Sequence, residues 1–334
     1  MASLIRSSLR VSTFALSAVG LAALILAAMI ATPLVAPPEL RSISAARGTV
    51  DMSTLPGIER FQARDGTLLG FRHYAAIGRS TGRAALVVHG SSGSSANNIH
   101  ALSWAFSQHG VETWAVDIRG HGVSGTRGDI AYLGQLEDDM ADFVAEIRKT
   151  NPDVPLTLVG HSAGGGFALR VAGSNIQNLF TRTVLLAPYL GPRAPTNRPD
   201  SGGWASPDVP RILALTVLRR IGIDCCDALP AVAFAVPPNS AKSLVPVYTE
   251  RLRSNFGVHL DYRTDLAAAT KPVTIYSGAD DELMLADKYA EAVRGVGPRV
   301  NVKLIEGINH MGIVSAPKAV SVIADDVASA GPNS

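Results

Sequence analysis

Cysteine is nearly absent from this 334-residue chain, whose only two, Cys225 and Cys226, stand side by side. Adjacent thiols rarely bridge, because disulfide geometry requires two separated Cα atoms that face one another, so no disulfide framework is expected. No C-x-x-C pair and no H-E-x-x-H run occurs, so no metal site is expected either. The two thiols fit partly buried positions in a helical region. Charge is also scarce, at 17% of residues, and Arg6 and Arg10 are the only charged side chains in the first 38 positions. The remainder balances at 28 basic against 28 acidic residues. Such a body has no field with which to hold a polyanion, so nucleic acid is not an expected partner. Hydrophobic residues, at 47%, exclude global disorder and can fill a large core.

The longest charge-free stretch is residues 11–38, within which 14–35 is dominated by Ala, Leu, Ile and Val. About 20 apolar residues cross a bilayer, whereas the apolar part of a signal peptide is about 7–15 residues. That length favours an uncleaved N-terminal transmembrane anchor over residues 1–38. Small-x-small cleavage patterns are poor there, since Met29 precedes Ala31 and Leu34 precedes Ala36 at the critical position. Arg6 and Arg10 lie before the span and Arg41 and Arg47 after it, which gives a modest preference for a cytoplasmic amino terminus and an extracytoplasmic body. The alternative is a long cleavable signal and a secreted body.

After a linker at 39–56, residues 58–74 read as a hairpin broken at Asp65-Gly66. Strands are then expected at 85–89, 111–117, 156–160, 183–186, 273–276 and 300–305. Helices are expected at 97–109, 135–150, 163–172, 285–293 and from about Pro317. This alternation predicts a mostly parallel sheet flanked by helices, with its core in 57–187 and 257–334. Residues 188–256 break the rhythm, for ten of the twenty prolines fall within 188–246. Inserted between two strands at the ligand-gathering end of the sheet, they are expected to form a cap or lid.

The chemistry concentrates at Gly160-His161-Ser162-Ala163-Gly164, a G-x-S-x-G run that follows an apolar strand directly and opens a helical pattern. A turn that tight lifts the Ser162 hydroxyl clear of the sheet and aims the first helical N–H groups at a developing anion. Serine needs a base, and His310 follows the last expected strand in Glu306-Gly-Ile-Asn-His310. The base needs an orienting acid, and Asp281, three residues after Gly278, is preferred over its neighbour Asp280; the order Ser, Asp, His is the one this motif demands. Two backbone donors should hold the oxyanion: the N–H of Ala163, and that of Ser91 in the loop His89-Gly90-Ser91-Ser92-Gly93. One competing motif, Gly120-x-Gly122-x-x-Gly125, has the dinucleotide spacing. No helical pattern follows it, so no cofactor is expected.

With these pieces placed, the chain resembles the α/β-hydrolases, in the serine-hydrolase branch of monoacylglycerol lipases, lysophospholipases and proline-iminopeptidase-like enzymes. The matching segments are His89-Gly90, Asp117-Ile-Arg119-Gly120-His121-Gly122-Val-Ser124, the serine run, Gly278-Ala-Asp-Asp281 and Gly307-Ile-Asn-His310. The resemblance implies an eight-stranded sheet with its second strand antiparallel, a cap after the sixth strand, and ester hydrolysis through an acyl-enzyme. A serine at 162 argues against dehalogenase or epoxide-hydrolase chemistry, which on this fold resemble an aspartate nucleophile. An apolar cap and a membrane tether point to a small hydrophobic or lipid-like ester as substrate. A peptidase or amidase would need a carboxylate clamp for an amine, with Asp200, Asp208, Asp224, Asp227 and Glu250 as candidates. A membrane-tethered binding protein without turnover is the remaining alternative.

Overall fold

In the computed structural model, short apolar runs pair into a central sheet and the amphipathic segments between them cover its faces. The structure describes residues 2–47, 50–96, 99–224, 226–240, 243–296 and 300–329, with side chains from Phe14 onward, that of Arg47 excepted. The chain enters through α1 (Ala2–Ile30) and α2 (Arg41–Arg47). Phe14, Leu16, Val19, Leu21 and Leu24 of α1 are exposed. Among the described residues, however, no helix is long and apolar enough to cross a membrane. The described side chains cover only the second half of α1, short of the about 20 residues a span requires, so the expected anchor is not supported by them. Residues 39–56, expected as a linker, contain α2.

The core begins with β1 (Glu59–Gln62) and β2 (Leu68–Tyr74), an antiparallel pair turning at Gly66. Next come β3 (Ala84–Val88), α3 (Ile99–Gln108), β4 (Glu112–Val116), α4 (Gln135–Thr150), β5 (Leu156–His161), α5 (Ala163–Ala172) and β6 (Arg182–Leu186). The helix α4 carries Glu137 and Asp138 in its first turn and Arg148 and Lys149 in its last, each sign complementing the helix dipole. Between β4 and α4, Gly120, Gly122 and Gly125 all have positive φ and form turns, with the Gly120 N–H donating to Ser124 O at 2.7 Å. No helix opens there, as a dinucleotide loop would require.

The excursion after β6 holds β7 (Ala205–Pro207), α6 (Val209–Arg220), β8 (Pro230–Phe234), β9 (Val247–Thr249) and α7 (Glu250–Asn255), and is followed by α8 (Tyr262–Ala268), which packs on α5. Its strands form a separate antiparallel sheet in the order β7-β8-β9. Asp208 caps α6, its carboxylate accepting from the Arg211 N–H at 3.1 Å. Cys226 is half-buried in a turn before β8, and Cys225 lies outside the described residues. The chain returns as β10 (Val273–Gly278), α9 (Tyr289–Ala292), β11 (Val300–Ile305), α10 (Gly312–Ser315) and α11 (Pro317–Ser329). The helix expected over 285–293 is split into a 3₁₀ turn at Ala286–Lys288 and the single turn of α9.

The main sheet has the order β1-β2-β4-β3-β5-β6-β10-β11, with β2 antiparallel to both neighbours and the rest parallel. The chain leaves β3 toward β4 on one side and β5 toward β6 on the other. Between two such strands the loops diverge and open a crevice at their carboxyl ends. The loop after β3 begins at His89, and the turn after β5 carries Ser162.

Candidate active site

Ser162 sits between β5 and α5 with φ 54° and ψ −119°, a conformation that a non-glycine residue adopts only when its surroundings impose it. Two glycines permit the turn. A Cβ at Gly160 would lie 2.2 Å from Gly164 O, and one at Gly164 would lie 2.2 Å from His89 O. The Ser162 N–H donates to Leu186 O at 2.9 Å, and its carbonyl accepts from Gly166 and Tyr189, both at 3.0 Å, so the strained residue is held from both sides.

The loops after β10 and β11 bring an acid and a base together. Asp281 Oδ2 lies 2.9 Å from His310 Nδ1, and Asp281 Oδ1 accepts the N–H groups of Leu283 and Met284, each at 2.8 Å. The His310 backbone N–H donates to Glu282 Oε2 at 2.9 Å. Burial pushes the Asp281 carboxyl up, but the charge and hydrogen bond of His310 and the two N–H groups outweigh it and hold the carboxyl below its ordinary value. With Nδ1–H given to Asp281, Nε2 is the ring nitrogen left to accept a proton. Asp280, the alternative acid, is exposed. Asp281 is buried, and its own carbonyl accepts from Arg198 Nη2 at 3.0 Å.

Ser162 and His310 line one cavity, and they are only 6% and 2% exposed. Ser91 lines the same cavity. Ala163 opens α5, so its N–H belongs to the first helical turn, whose donors have no partner within the helix. The loop bearing Ser91 is stapled to the excursion. Ser91 Oγ accepts from Trp204 Nε1 at 2.8 Å, Ser92 Oγ donates to Val245 O at 2.6 Å, and the Val245 N–H donates to Ser92 O at 3.0 Å. The Ser92 N–H donates to the Tyr248 hydroxyl, which also meets His121 Nε2.

Three buried histidines underlie this region. His121 Nδ1 faces Arg119 O at 3.3 Å, so Nε2 accepts from the Tyr248 hydroxyl. His89 Nδ1 faces Gly90 O at 2.7 Å, and its Nε2 accepts the Ile118 N–H at 3.3 Å. Each pattern requires a neutral ring, and burial, the main cause, lowers both pKa values below the ordinary histidine range. His161 Nε2 lies 3.2 Å from His310 O; burial and the neighbouring His310 lower it to about 3. Sequence patterning singled out Ser91, Ser162, Ala163, Asp281 and His310. Tyr248 and Trp204 escaped as partners of the loop because their contacts span 156 and 113 residues, beyond any local period.

The family "Serine aminopeptidase, S33" matches residues 80–225. A monoacylglycerol lipase of Mycolicibacterium smegmatis is 25% identical over 242 residues, covering 70% of this chain and 82% of that protein. Monoglyceride lipase of Mus musculus is 30% identical over 127 residues, 38% of this chain and 41% of the mouse protein. Among solved structures, a monoglyceride lipase from Saccharomyces cerevisiae superposes with a TM-score of 0.60 at 17% identity, covering 84% of this chain and 96% of that one. A bacterial membrane phospholipase A superposes with a TM-score of 0.54 at 16% identity over 97% of this chain and 99% of its own.

Proposed function

We propose that this chain is a serine hydrolase of the lipase-like branch of the α/β-hydrolases, and that it cleaves carboxylic esters of hydrophobic, lipid-like substrates through an acyl-enzyme on Ser162. The observation that carries the proposal is one cavity holding Ser162 and the Asp281-paired His310, with Ile99, Leu244, Leu283 and Met311 among its walls. In the first step Ser162 Oγ bonds to the ester carbonyl carbon while His310 Nε2 takes the hydroxyl proton, and Asp281 stabilises the imidazolium. The N–H groups of Ser91 and Ala163 receive the oxyanion. Collapse breaks the C–O bond to the alcohol, which leaves with the proton from His310. Water, deprotonated by the same nitrogen, then releases the acid and restores Ser162.

A peptidase reading is disfavoured by the carboxylates available to hold an amine. Asp208, Asp227 and Glu250 are paired with Arg211, Arg219 and Arg253, while Asp200 and Asp224 are exposed, and none of the five lines the cavity. The test uses the full-length protein in detergent with acyl esters of graded length, aminoacyl amides and an alkyl fluorophosphonate. Ester turnover and serine labelling that both vanish in Ser162→Ala are expected. Folded wild type showing neither, or turning over amides faster than esters, would overturn the reading.

We further read residues 1–38 as a single membrane anchor with the catalytic body outside the cytoplasm. The uncharged stretch 11–38 and the exposed apolar side chains of α1 support this, and Val209, Leu213 and Val217 extend an exposed apolar face along α6, against which α1 packs. An alkaline wash should leave the protein in the membrane fraction with its amino terminus intact; release, or a new terminus near residue 38, would refute it.

A further inference from the structure

The segment ahead of the hydrolase core reaches the reacting groups. Ile43, on α2, is 3% exposed and lines the same cavity as Ser162 and His310. Its backbone N–H and that of Ser44 both donate to Leu40 O at 3.1 Å, and Leu40 packs on the same apolar cluster as Ile43 and Trp204. Both ends of the segment are tied down. Upstream, Thr32 Oγ1 lies 2.7 and 2.9 Å from the two oxygens of Asp208, and Arg211 Nε donates to Ile30 O at 2.9 Å, with a further bond from the same guanidinium to Thr32 O. These partners stand at the amino end of α6, in the excursion. Downstream, Pro56 O accepts from Arg72 of β2, and Thr54 Oγ1 lies 3.3 Å from His100 Nε2 of α3. A strap fixed to the excursion at one end and to the core at the other thus carries one buried aliphatic side chain into the pocket.

We propose that Ile43 is a specificity-determining residue, the wall that limits the apolar part of the substrate, and that the strap exists to hold it there. This rests on the ester-hydrolase reading above. Its physical basis is volume: in a water-excluded pocket each methylene that fits or fails to fit changes kcat/KM by about 10- to 200-fold. Isoleucine at 43 occupies space that a longer or bulkier chain would need. Among the described residues no carboxylate lines the cavity, and Ile43, Ile99, Leu244 and Leu283 give it an aliphatic wall, against which length and bulk are the properties that discriminate.

The test uses the full-length protein with two ester series, one varying the acyl chain on a constant alcohol and one varying the alcohol on a constant acyl group, plus phosphonylation of Ser162 by short- and long-chain alkyl fluorophosphonates. Ile43→Ala should raise the long-to-short ratio of kcat/KM about tenfold in one of the series, and Ile43→Trp should lower it by a similar factor. Ile43→Val should fall between wild type and Ala. Because each ratio is taken within one preparation, a loss of folded fraction cancels, and the phosphonylation burst counts the active sites. Ratios within twofold of wild type for all three variants, in both series and in labelling, would overturn the proposal while leaving the hydrolase reading standing. Wild type that neither turns over esters nor becomes labelled would remove that reading and this proposal with it.

Discussion

In β3, β5 and β10 every residue is buried and each strand lies parallel to two neighbours, whereas β7, β8 and β9 are three to five residues long and only β8 is largely buried. The first set is buried on both faces, so packing on either side fixes its register. The second is set by prolines, by left-handed turns at Asp200, Ser201 and Gly202, and by ion pairs such as that of the buried Glu250 with the half-buried Arg253. Ser162, Asp281 and His310 stand on or beside the first set, where backbone position is over-determined. The side chains that shape the pocket above them, Trp204 and Leu244, come from the second. A rigid sheet can hold a nucleophile in a strained conformation, and an irregular excursion can vary without disturbing it. The two are nevertheless joined, at the loop bearing Ser91.

The largest effects should come from the sheet side. Ser162→Ala removes the proposed nucleophile, and a loss on the order of 10⁴-fold or more in kcat is expected with the melting temperature little changed. Asp281→Asn should cost about 10⁴-fold, because an amide no longer fixes the tautomer that leaves Nε2 free to accept the proton. Asp280→Asn, at an exposed position, should stay within about twofold of wild type, as surface substitutions do. Steady-state kinetics on the pair would decide the acid. A large loss at 280 with little at 281 would mean that the 2.9 Å contact with His310 is structural.

The seam between the two regions should also set acid stability. The folded pKa values of His89, His121 and His161 are lowered, chiefly by burial, so these rings are held neutral. Below the ordinary histidine value of about 6.5 the unfolded chain binds protons that the folded one does not. Their contribution is therefore present in full above about pH 6.5 and is lost as pH falls. Each such group lowers the folding equilibrium by up to about tenfold per pH unit. Asp281 opposes nothing here, since its carboxylate stays ionised in both states above about pH 5. Urea midpoints should fall steeply between pH 6.5 and 5, and His121→Asn should flatten that slope; equal midpoints at pH 7 and 5 would contradict the assignment of neutral rings.

The same contrast explains what could be read beforehand. Ala163–Ala172, Gln135–Thr150 and Val300–Ile305 were legible because their periodicity and end signals are local. The turn at Ser162 was legible because steric need for glycine leaves a fixed spacing. The segment containing α2 was not: seven residues are too few for a helical period to stand out, and Ile43 is buried only by contacts with distant parts of the fold. The split of 285–293 was hidden for the opposite reason, a continuous helical pattern overridden where Tyr289 reaches Pro188 O at 2.8 Å. The three-stranded sheet of the excursion has strands shorter than any reliable alternation.

A smaller loss than at Ser162 or Asp281 tests the seam most directly. Tyr248 accepts the Ser92 N–H and donates to His121 Nε2, so it links the excursion to the residue next to the proposed oxyanion donor Ser91. Tyr248→Phe keeps the ring packed against Phe234 and Phe256 but leaves a buried N–H and a buried ring nitrogen without their partner. Full loss of one oxyanion donor costs about 10²- to 10³-fold. Ser91 remains tied by Trp204, so displacement should be partial and kcat should fall about tenfold with KM nearly unchanged. A merely structural tyrosine would lower the melting temperature and leave kcat per active site intact once sites are counted by phosphonylation. If kcat per site is unchanged, the excursion shapes the pocket without aligning the oxyanion loop, and sheet and excursion act as separable parts.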